Sequence, residues 1–155
     1  MKIAELLMER KDIQIKLAEI KERMNSVVRI QEGDIPEIDP LVLIKQFEET
    51  NKRLVKVVET IEKANQETLI DKEQTLAQAL VEREGLRRQH LFYTSVINQA
   101  SEKVHRYSNS EIKDIVTVDV ADLHKKKDQV AKKLREIDAK IQEKNWNVEV
   151  EEKQY

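Results

Sequence analysis

A chain of 155 residues with 37% charged side chains, a net charge of −2 and only two glycines and two prolines has the composition of one domain made of long helices. The near-neutral balance argues against a general attraction to nucleic acid or an anionic membrane, and the absence of cysteine excludes disulfides, thiolate chemistry and Cys-based zinc sites. The N-terminal MKIAELLMERKD is charged throughout where a secretory signal needs an apolar run, and the longest aliphatic run, 41–44, is far short of a membrane span; a cytoplasmic location is expected.

The first predicted helix covers 2–30. Ile3, Leu6, Ile13, Leu17, Ile20, Met24 and Val27 recur at steps of three and four, with Arg10 breaking the series. A repeat of about 3.5 residues keeps one apolar seam facing a partner helix. Gly33 and Pro36 end this helix, and Asp39 followed by Pro40 is a helix start, with an N-cap acid and a proline whose missing N–H costs nothing. The second helix covers 40–66. Its seam is Leu43, Phe47, Leu54, Val57, Ile61 and Ala64, and Ile44 and Val58 widen it enough to touch a second neighbour.

The third helix covers 73–104, with a more polar seam of Leu76, Ala79, Arg83, Leu86, His90, Tyr93, Ile97, Ala100 and Val104. Gly85 lies inside it at a cost of about 1 kcal/mol against alanine, which suggests close approach of another backbone. The longest break follows, containing Ile112, Ile115, Val116 and Val118, side chains suited to a short extended segment; a capping box at Ser108 and Glu111, giving one helical turn, is the alternative. The fourth helix begins after Asp119 and runs to 146 on Val120, Leu123, Val130, Leu134, Ile137 and Ile141. Trp146 is expected to close one end of the bundle, with its indole N–H bonded at the rim. The polar tail beyond it is expected to fray. Acid-then-base pairs four residues apart, such as Glu49/Arg53, Glu84/Arg88 and Asp122/Lys126, support the exposed faces by about 0.2–0.5 kcal/mol each.

Candidate functional residues are few. Arg10, Arg83, His90 and Lys127 occupy seam positions. They could converge on an anion or metal, but the preferred reading is that they pair with flanking acids and set register. Glu102 and His105 have the Glu-x-x-His spacing of di-iron bundles. Only one such pair exists, and with Val104 in the seam it points outward, so no metal and no cofactor is expected. His124 to Lys127 with Lys132 and Lys133 form a basic run broken by Asp122 and Asp128, read as a solvated face. No dinucleotide, Walker or nucleophile-elbow motif occurs, so catalysis is not expected. The segment Arg106, Tyr107, Ser108, Asn109, Ser110, Glu111 is read first as a turn whose Ser and Asn side chains satisfy helix-end amides; it is also the candidate interaction loop, with Tyr107 and Ile112 packed on a bundle end and Arg106 and Glu111 paired with charges, across a subunit interface if the chain assembles.

RYSNSEIK at 106–113, TVDV at 117–120 and LREIDAKIQEKNW at 134–146, with the N-terminal LLMERKDIQIKLAEIKERM, resemble the septicolysin-like family of small bacterial helical proteins. That resemblance implies a long helical bundle that self-associates. The family name implies a cytolysin, a function that ranks last here because a helical pore-former needs an export route and an apolar segment to insert.

The expected architecture is therefore all-α: four long antiparallel helices in a bundle with coiled-coil-like a/d packing, one domain over 1–150 and a polar tail over 151–155. The leading functional expectation is a homo-oligomer, dimer or higher, acting through protein contacts, with no nucleic acid or membrane partner. The alternative is a ligand- or metal-binding protein with a polar site in the bundle core.

Overall fold

The computed structural model describes residues 1–102 and 112–151. The protein is all-α. Its four helices are α1 (Ile3–Val27), α2 (Pro40–Glu67), α3 (Leu76–Ala100) and α4 (Val120–Asn147). The chain forms two compact units, one comprising Met1–Ala77 with Glu143–Tyr155 and the other Gln78–Gln142.

In the first unit, α1 and α2 pack along their apolar seams. Leu6 and Ile13 meet Val57 and Ile61, with Leu7, Leu17, Leu54 and Val150 closing over them. Ile20 and Val27 meet Leu43, flanked by Met24 and Ile38. Early α1 thus faces late α2, so the two helices are antiparallel. Asp39 caps α2 as its sequence requires: its Oδ1 accepts the Leu41 N–H at 2.9 Å, with Pro40 in the first turn. Gly33 takes φ +90° in the preceding connection, a conformation open to glycine at no steric cost.

The turn after α2 is held by side chain and backbone together. Asp71 Oδ1 accepts the N–H groups of Glu73 (3.0 Å) and Gln74 (2.9 Å), and Leu69 and Thr75 form an antiparallel bridge. The polar end of the chain, expected to fray, is tied down as far as Val150. Lys2 and Glu149 form an antiparallel bridge, the Ile3 N–H donates to the Val148 carbonyl (3.3 Å), and the Val150 N–H donates to the Met1 carbonyl (2.8 Å). Trp146 does not close a bundle end. It is exposed, and the neighbouring Asn145 is buried instead, because the helix turns the next position inward.

The second unit carries most of α3 and α4. Ala79, Ile97, Val130, Ile137 and Ile141 are its buried apolar residues, all at expected seam positions. The α4 start matches the sequence reading, with Asp119 Oδ1 accepting the Asp122 N–H at 3.1 Å. The reading of Gly85 does not hold. A Cβ placed there would meet only the Arg88 Nη2, at 3.8 Å, so no backbone approaches it. Gly85→Ala should therefore stabilise the protein by about 0.5–1 kcal/mol, the backbone entropy that glycine loses in a helix. Paired urea melts measure this; a destabilised variant would show that the site is crowded after all.

Candidate functional site

The polar seam residues are the place to look for chemistry. Arg83 projects from the second turn of α3, where its position in the seam brings it against α4. Its side chain is 18% exposed, and its Nη1 donates to Asp138 Oδ1 at 3.0 Å. Its Nε is buried without a hydrogen-bond acceptor, and Glu84 Oε1 lies 3.8 Å from it. Arg83 is near the start of α3 and Asp138 near the end of α4, as an antiparallel pair requires. The guanidinium is thus held by an acid of the facing helix. Asp138 keeps the pair open to water at one edge, with its side chain 45% exposed.

The other three seam residues are half-buried. His90 stands two turns beyond Arg83 on α3, and its backbone carbonyl accepts the Thr94 hydroxyl at 2.8 Å. Lys127 stands on α4 in the same unit. Arg10 belongs to the first unit, on α1. The interhelical ion pair of that unit is formed by its neighbour: Arg53 on α2 donates from Nε (2.7 Å) and Nη2 (2.6 Å) to Glu9 Oε1. Among the expected surface pairs, Asp122–Lys126 forms at 3.3 Å. Glu84 reaches Arg87 at 2.7 Å.

Among the described residues, no group of three or more His, Asp or Glu side chains could hold a metal. Glu102 is exposed, and His105 lies outside the described residues. So do Arg106, Tyr107, Ser108, Ser110 and Glu111 of the candidate loop. Ile112, expected to pack on a bundle end, is 96% exposed, and Ile115, Val116 and Val118 are exposed after it. They form no strand; their β-branched character finds no partner strand to pair with. The basic run on α4 is a solvated face, His124 to Lys126 and Lys132 and Lys133 being exposed. Two buried polar residues escaped the sequence reading, Asn65 on α2 and Asn145 on α4. Asn65 follows directly on seam residue Ala64, the one signal that could have found it.

The model of a family of unknown function (DUF6847) matches residues 10–150. The chain belongs to that family. This overturns the septicolysin-like resemblance, which rested on a few short strings; nothing in the comparisons points to that family. The structure is similar to the crystal structure of a functionally unknown conserved protein from Corynebacterium diphtheriae, with a TM-score of 0.90 and 34% sequence identity over 97% of this chain and 99% of that one. No curated protein matches.

The Arg83–Asp138 pair yields a double comparison. Asp138→Ala should cost about 1–3 kcal/mol, because it strands a largely buried guanidinium. Arg83→Met should stay within about 1 kcal/mol of the parent, since an apolar side chain of similar length suits the seam. Urea unfolding of both variants decides; equal costs would mean that Asp138 does not neutralise Arg83.

Proposed function

We propose that this protein is a homo-oligomeric helical scaffold that acts through protein contacts, not through catalysis. The observation that supports this reading is the large apolar side chains its helices leave in water. Ile44, Phe47 and Val55 are exposed on α2, and Val81, Leu91 and Phe92 on α3. Ile112, Ile115 and Val116 are exposed ahead of α4. Single exposed apolar residues are ordinary on any protein surface. Several on one helix face, rimmed by charge, are the material of interfaces.

Of the polar seam residues, Arg83 fits the same reading: it is engaged by Asp138, and outside the seam Arg53 joins Glu9 across the helices in the same way. A membrane role has no support in the helices: among the described residues, none is long and apolar enough to cross a bilayer.

The test is light scattering on the peak from a size-exclusion column, loaded at tens of micromolar. The expected mass is at least twice the 18.2 kDa of the chain. A strictly monomeric mass at that concentration would contradict self-assembly.

A further inference from the structure

The face of α2 turned about a quarter-turn from α1 carries a second stripe. Ile44, Phe47, Asn51, Val55 and Val58 follow one another at steps of three, four, four and three, spacings that keep side chains on one side of a helix. The first seam of α2, through Leu43, Val57 and Ile61, is already covered by α1. The second is not. Ile44 is 41% exposed, Phe47 39% and Val55 48%, Asn51 is exposed and Val58 half-buried. The sequence had placed Phe47 in the first seam, and its exposure assigns it to the second.

This stripe reads the same in both directions. Ile44 and Val58 lie seven residues either side of Asn51, and Phe47 and Val55 lie four either side. A two-fold interface uses one patch twice, so the patch must complement itself. We infer that this stripe is where two copies of the chain meet, α2 against α2 and antiparallel, with the symmetry axis passing at Asn51. The inference rests on the self-assembly reading and names its surface.

The pairing follows from the register. Ile44 packs on the partner's Val58 and Phe47 on the partner's Val55, each contact occurring twice. Asn51 meets the partner's Asn51, and two amides, each both donor and acceptor, satisfy one another. A single asparagine within an apolar seam is a device for fixing register and orientation at some cost in stability. The flanking charges agree. Glu48 and Lys52 are exposed on one flank of the stripe, three residues before Asn51 and one after it. The antiparallel register sets Glu48 beside the partner's Lys52, and the reverse. Lys45 and Glu59, six before and eight after on that flank, come together in the same way. Opposite charges across a rim favour this register over slipped ones.

The absence of native cysteine makes the test clean. In full-length Asn51→Cys the two thiols should face each other across the axis, so mild oxidation should convert most of the protein into a disulfide-linked dimer on a non-reducing gel. Lys63→Cys, on an exposed position away from the stripe, should remain largely uncrosslinked. Phe47→Glu with Val55→Glu, which sets acids against one another across the axis, should weaken self-association at least about tenfold. Its helical circular dichroism should be unchanged. If the parent is oligomeric but Asn51→Cys crosslinks no better than Lys63→Cys and the double glutamate variant keeps its mass, this surface is wrong and self-assembly stands on another. If the parent is monomeric, the self-assembly reading fails as well.

Discussion

The structure depends first on burying the apolar seam of α1 against that of α2. Leu6, Ile13, Val57 and Ile61 form one cluster along it, and Ile20, Val27 and Leu43 the other. Burial of side chains of this size contributes about 1.5–3 kcal/mol each, against which a surface ion pair counts for about 0–1 kcal/mol. The seam therefore decides how the two helices meet. The backbone pairing of residues 1–3 with 148–150 is an addition to it: Val150 comes down onto the cluster that holds Leu6 and Val57. Once the seam is closed, the faces it does not use are fixed too, and the stripe through Phe47 and Asn51 is one of them.

The interhelical ion pairs add less to stability than the apolar seams they flank. An ion pair partly withdrawn from water returns little net stability, but breaking it leaves a charge poorly solvated. Arg83 with Asp138 and Arg53 with Glu9 each join two helices, and a slipped register would separate them. Such pairs penalise wrong arrangements more than they reward the right one.

Much of this was legible in the sequence, for a definite reason. Apolar residues at steps of three and four, Asp39 before Pro40 and Gly33 after the first seam are local signals, and they place four helices with α2 starting where it does. The signals that failed are those in which a neighbour decides. Phe47 satisfies the seam spacing, yet helix rotation leaves it at the seam's edge. Arg53, which the i,i+4 rule ties to Glu49, also reaches across to Glu9, a contact no local rule could give. Gly85 was read as a point of close approach and Trp146 as an end cap, yet the glycine has open space beside it and the indole is half exposed. For Ile112 a β-branched side chain suggested burial, yet it stands in water. The family resemblance failed because it rested on short strings, whereas the family model matches residues 10–150 as a whole.

The seam's primacy is tested most directly at Ile61, which is 1% exposed and lies in the larger cluster. Equilibrium urea unfolding of Ile61→Ala against the parent should show a loss of about 2–5 kcal/mol, the transfer and cavity cost of a buried isoleucine. Leu41→Ala on the exposed side of the same helix serves as the control and should change stability by less than about 0.5 kcal/mol. An Ile61→Ala loss no larger than that of the control would contradict the account, since the α1–α2 seam would then not be what holds the fold together.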